Sequence, residues 1–156
     1  MTEQAEPVTE IEVAVELVEI EVDLPRVGII MGSKSDMDVM DGAASVLRDA
    51  GVHHEVRVMS AHREPEAVAE YCKNARMRGL RVLIAGAGLS AALPGVAAAH
   101  TDLPVIGVPL SSRLSAMGGL DAILSVVQMP PGVPVASVGL DNAKNAGHLA
   151  LRILRS

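Results

Sequence analysis

The 156 residues are 49% apolar but include no Trp, no Phe and a single tyrosine, Tyr71. A core must therefore be built from Val, Leu, Ile, Ala and Met, and the lack of aromatics argues against base-stacking surfaces for single-stranded nucleic acid. The net charge of −6 argues equally against a broad phosphate-backbone footprint.

The charge is unevenly placed. Residues 1–25 carry eight acids and no Lys or Arg, whereas the remainder holds 13 bases and 11 acids. The sequence thus divides into an acidic N-terminal extension, residues 1–25, and a single near-neutral α/β domain, residues 26–156. The extension lacks the basic start and apolar run of a secretion signal. No apolar stretch has the 18 or so residues of a membrane span. A lone cysteine, Cys72, cannot form an internal disulfide, which fits a reducing cytoplasm. Residues 1–10 read as a solvated tail. From Ile11 to Leu24, acids alternate imperfectly with Val, Ile and Leu, the pattern of an added edge strand.

From Arg26 the alternation becomes regular. Val27–Met31 is a continuous apolar strand, Gly32–Asp36 a loop, and Met37–Ala50 a helix closed by Gly51. Residues 52–59 form the second strand, followed by a helix from Pro65 to Arg78 with a stop at Gly79. Arg81–Ala85 is the third strand, and the small residues from Gly86 to Ala92 follow it. A short helix, Val96–His100, leads to strand Pro104–Val108. A helix around Gly119–Val127 leads to strand Val133–Val138, and residues 142–155 form the last helix. Strands and helices in alternation, with strands apolar on both faces, predict a doubly wound parallel sheet in three layers.

Three segments carry candidate chemistry. Gly32-Ser33-Lys34-Ser35-Asp36 follows a strand and opens a helix, so its hydroxyls and free N–H groups can hold an anion. Equally, Ser35 or Asp36 can serve only as a helix cap. The spacing is not that of a P-loop. Ser60-Ala61-His62-Arg63 lies at the carboxyl end of a strand, where open α/β sheets bind ligands. Imidazole titrates near neutrality and guanidinium pairs with phosphate. Gly86-x-Gly88-x-x-Ala91 loosely matches a dinucleotide fingerprint, but the acid near the required spacing, Asp102, precedes the next strand instead of ending it. These small residues instead let a ligand or another backbone come close. No His, Cys, Asp or Glu cluster has metal-ligand spacing, and no nucleophile elbow or Cys-x-x-Cys pair is present.

Together, Gly32–Asp36, Ser60–Arg63, Leu93-Pro94-Gly95 and Val127–Ala136 closely resemble the 5-(carboxyamino)imidazole ribonucleotide mutases of purine biosynthesis, the class I AIR carboxylase-like family. The resemblance runs from about Val27 to Leu154. It implies a flavodoxin-like three-layer sandwich, a homo-octamer and a cofactor-free isomerase acting on a small ribonucleotide. The reaction would move a carboxyl group from the exocyclic nitrogen to ring carbon four. By the same resemblance Ser33, Ser35, Asp36 and Arg63 would hold phosphate and ribose. Ser60, Ala61, Gly86, Ala87 and Gly88 would shape the pocket, and His62 would be the proton-transfer residue.

The chain also departs from the family pattern. Ala92 stands where a second histidine is usual, residues 115–121 lengthen a loop, and Gly139–Ala143 resembles archaeal-type members. The sequence ends at Ser156, short of the family's longer C-terminal helix. The missing histidine and the Gly-Gly-Leu segment also occur in a related pyridinium-biscarboxylate mononucleotide synthase, whose cysteine near the position of Met129 is absent here. The same motifs would also suit a carboxylase using CO₂ directly, or a ribonucleotide-binding paralogue without catalysis.

Overall fold

Five strands pair side by side into one parallel sheet in the computed structural model, which describes residues 24–156. The strands are β1 (Val27–Met31), β2 (His54–Val58), β3 (Val82–Gly88), β4 (Val105–Leu110) and β5 (Ala136–Ser137), in the spatial order β2-β1-β3-β4-β5. That is the flavodoxin-like order, whose direction of winding reverses between β1 and β3. The edge strand expected over residues 11–24 lies outside the described residues, apart from Leu24 at its end.

Five helices cover the sheet: α1 (Met37–Asp49), α2 (Pro65–Asn74), α3 (Leu93–Ala99), α4 (Leu120–Val127) and α5 (Ala143–Arg155). Successive strand residues point to opposite faces, which divides the core in two. Val27, Ile29 and Met31 of β1 pack with Met40 and Leu47 of α1 and Ala146 and Ala150 of α5. Ile30 of β1 and Leu83 and Ala85 of β3 pack with Val68 and Cys72 of α2, Leu93 of α3 and Val126 of α4. Each fully buried Leu, Ile, Val or Met stabilises the fold by about 1.5–3 kcal/mol. Helices α1 and α5 meet closely at Gly147, where an added Cβ would lie 2.9 Å from Val46 Cβ and 3.0 Å from the Ala43 carbonyl oxygen.

Several boundaries differ from the sequence reading. Gly86, Ala87 and Gly88 belong to β3 instead of following it, because they pair with β4 as far as Gly88↔Leu110. Strand β4 correspondingly continues through Pro109 to Leu110. Helix α2 ends at Asn74, and a turn carries the chain to Gly79 at φ +93. Helix α3 begins at Leu93, with Pro94 in its first turn, where a missing N–H costs no helical bond. Strand β5 is reduced to two residues, since Gly132 at φ +90 and Pro134 keep the preceding chain out of the ladder.

Candidate active site

The carboxyl ends of β1, β2, β3 and β4 open into a cleft of about 410 Å³ at the point where the winding reverses. Each wall comes from the loop after one strand.

After β1, Ser33 caps a 3-10 turn over Lys34–Asp36, and its hydroxyl oxygen accepts from Ser35 N–H at 3.3 Å and from the Ser35 hydroxyl at 2.9 Å. The capping thus falls to Ser33, and neither Ser35 nor Asp36 supplies a side-chain cap to α1. Asp36 turns toward the cleft. Burial pushes its carboxyl above the usual range, while the Ser33 N–H and the Arg63 charge draw it back down.

After β2, the chain turns sharply at Ser60–Arg63. Ser60 is buried, its hydroxyl oxygen accepts from Arg63 N–H at 3.3 Å, and Glu64 N–H donates to the Ser60 carbonyl at 2.8 Å. Arg63 then reaches across the cleft mouth, its Nη2 donating to the Gly32 carbonyl at 2.7 Å. That bond ties the β1 and β2 loops together. His62 is exposed on the same rim and faces the cleft.

At the carboxyl end of β3, Ala87 and Gly88 form a floor of small residues. Leu89 follows at φ +56, a left-handed conformation uncommon for a residue other than glycine and concentrated at functional sites. Ala92 also lines the cleft, so among the described residues lining it the imidazole comes from His62.

The structure therefore brings Ser33, Ser35, Asp36, Ser60, Ala61, His62, Arg63, Ala87 and Gly88 to one cleft. Gly86 does not line it. Its Cα faces the opposite side of the sheet, where Met40 lies over it and would block a side chain. The expectation that Gly86 shapes the pocket is thus corrected, because Met40 fills the space over it and the cleft begins one residue further along β3. Sequence reasoning missed Leu89, Ser90, Leu110, Ser111 and Ser112. The last three lie beyond Pro109, which reads as a strand end, and a pair of serines carries little signal by itself.

Among the described residues, no group of three or more His, Cys, Asp or Glu side chains is placed to hold a metal ion. No helix there is long and apolar enough to cross a membrane. Cys72 is buried on α2, where burial pushes its thiol up to about 11.

Known proteins are similar to this chain in sequence and in fold. The AIR carboxylase family model matches residues 26–156. The chain is 59% identical over 135 residues to the N5-carboxyaminoimidazole ribonucleotide mutase of Pyrococcus abyssi, covering 86% of this chain and 76% of that protein. It is 58% identical over 130 residues to the Mycobacterium tuberculosis H37Rv protein of the same name, covering 83% and 74%. The crystal structure of Treponema denticola PurE superimposes with a TM-score of 0.74 at 35% identity, covering 84% of this chain and 80% of that one. The chain belongs to the AIR carboxylase family.

Proposed function

We propose that this protein is an isomerase of purine biosynthesis that converts 5-(carboxyamino)imidazole ribonucleotide into 4-carboxy-5-aminoimidazole ribonucleotide. The observation that carries this reading is the convergence of His62, Arg63, Asp36 and Ser33 on one small-residue cleft, in a chain whose curated relatives are named as mutases.

Arg63 and Ser33 take the phosphate, and Asp36 accepts from the ribose hydroxyls. Ser60, Ala61, Ala87 and Gly88 leave room for a flat ring and keep water from it. The carbamate on the exocyclic nitrogen loses CO₂ as His62 gives a proton to that nitrogen. Ring carbon four, made nucleophilic by the amine, attacks the retained CO₂ and becomes tetrahedral. His62, now neutral, removes the proton from that carbon and restores the aromatic ring. One proton is given and one taken, so the isomerisation needs no net acid or base. A positioned imidazole of this kind contributes about 10²–10⁴-fold.

The acidic segment, residues 1–25, precedes in sequence the catalytic domain of residues 26–156, the span matched by the family model. Self-association, for which the family resemblance implies a homo-octamer, is supported by apolar side chains left exposed. Leu120, Leu124 and Val127 share a face of α4, and Leu114 and Met117 precede it. Sedimentation should give eight copies per particle, and a monomer would contradict the assembly. A cytoplasmic location suits the pathway and the unpaired thiol of Cys72. A synthase reaction through a cysteine has no support at the cleft, since Cys72 does not line it.

The test is direct. Purified protein mixed with the carboxyamino ribonucleotide should form the carbon-carboxylated isomer, and His62→Asn should slow turnover by about 10²-fold or more while still binding the ribonucleotide. Turnover undiminished by His62→Asn would refute the assignment.

A further inference from the structure

Ser111, at the carboxyl end of β4, lines the cleft. Asp141, from the loop between β5 and α5, does not line it but grips Ser111 with both oxygens. Its Oδ1 accepts from Ser111 N–H at 2.8 Å, and its Oδ2 accepts from the Ser111 hydroxyl at 2.5 Å. The second distance is in the range of a hydroxyl bound to a carboxylate. Asp141 sits at φ +56, and its own N–H donates to the Pro109 carbonyl at 2.9 Å. The loop is thus held in a left-handed conformation so that one carboxylate addresses one serine.

An ionised carboxylate only accepts hydrogen bonds. The Ser111 hydrogen is therefore committed to Asp141, and the hydroxyl offers the cleft lone pairs alone. Ser60 on the opposite wall differs, because its oxygen accepts the Arg63 N–H and the hydroxyl can still offer the cleft both its hydrogen and a lone pair. We propose that Asp141 is a positioning residue that fixes Ser111 as an acceptor for the N–H donor of the bound aminoimidazole. This inference rests on the ribonucleotide reading above and adds a specificity element to it: the site selects an amino-substituted ring.

The test compares Asp141→Asn, Asp141→Gly, Ser111→Ala and the Ser111→Ala/Asp141→Gly double variant with the wild-type full chain, by steady-state isomerisation and thermal unfolding. Asn and Gly both tolerate the left-handed backbone. With Asn, the carbonyl takes the Ser111 N–H and the amide NH₂ donates to the hydroxyl, which turns the serine hydrogen toward the cleft. With Gly, the hydroxyl rotates freely and can still accept. Asp141→Asn should raise KM about threefold to tenfold with kcat nearly unchanged, as for a contact made equally in ground and transition states. Asp141→Gly, which removes more of the structure, should raise KM less. The double variant should be no worse than Ser111→Ala alone. A larger KM effect from Gly than from Asn, additive losses, or an unchanged KM in Asp141→Asn would overturn the inference while leaving the mutase reading intact. A wild-type chain that turns over no ribonucleotide would overturn both.

Discussion

Removing the Arg63 guanidinium should separate its two tasks. In the free protein it donates one hydrogen bond, at 2.7 Å, from an exposed position to the Gly32 carbonyl. Losing a bond of that kind costs about 0.5–1.5 kcal/mol of stability. In the complex the same side chain meets a phosphate, where a hydrogen bond to a charged group is worth about 1.5–3 kcal/mol. At about 1.4 kcal/mol per factor of ten, Arg63→Ala should weaken ribonucleotide binding about tenfold to a hundredfold. Calorimetry with 4-carboxy-5-aminoimidazole ribonucleotide and with its dephosphorylated riboside isolates the phosphate term. The variant should lose affinity for the ribonucleotide and little for the riboside. Arg63→Lys should recover only part of the loss, since an ammonium keeps the charge but not the planar fork. Equal weakening of both ligands would refute phosphate binding by Arg63 and reduce its role to tethering the loop.

Single contacts elsewhere have their own consequences. His62→Asn should lower kcat by about 10²-fold or more with a much smaller change in ribonucleotide affinity, read by single-turnover kinetics and equilibrium binding. Asp36 gives a pH signature: its carboxyl is raised by burial, so the folded state holds that proton more tightly than the unfolded chain. Its contribution to stability therefore falls as pH rises from the ordinary carboxylate range through the raised folded value. Asp36→Asn should be more stable than wild type above that window and lose the advantage below it. Parallel melting curves across the pH series would contradict this. Gly147→Ala should destabilise the fold by about 1–3 kcal/mol, because its Cβ would meet the Ala43 backbone oxygen at 3.0 Å, which cannot yield as a flexible side chain could. Urea unfolding measures the difference.

Much of this was legible in the residues. The apolar runs of β1 and β3 and the stop of α1 before Gly51 mark the framework, and Ser60–Arg63 falls at a strand end as expected. What escaped was set by long-range partners. Gly86–Gly88 carry little strand propensity and are strand because β4 pairs with all three and β1 with Gly86. Pro109 reads as a terminator, yet β4 runs through it to Leu110 and delivers Ser111 to the cleft. The Ser111–Asp141 pair spans 30 residues and depends on a left-handed backbone at Asp141. No local pattern announces such a contact. Of the four motifs shared with the mutases, Gly32–Asp36, Ser60–Arg63 and Leu93 reach the cleft and Val127–Ala136 does not, while the β4 wall needed the folded chain.

In the proposed mechanism one cleft releases a carboxyl group from nitrogen, retains it and returns it to carbon. Substrate labelled with ¹³C in its carboxyamino group, converted in excess unlabelled bicarbonate, distinguishes retention from exchange. Retention predicts that 4-carboxy-5-aminoimidazole ribonucleotide keeps the label. Unlabelled product would mean that CO₂ is taken from solution, and no product at all would contradict the mutase assignment itself.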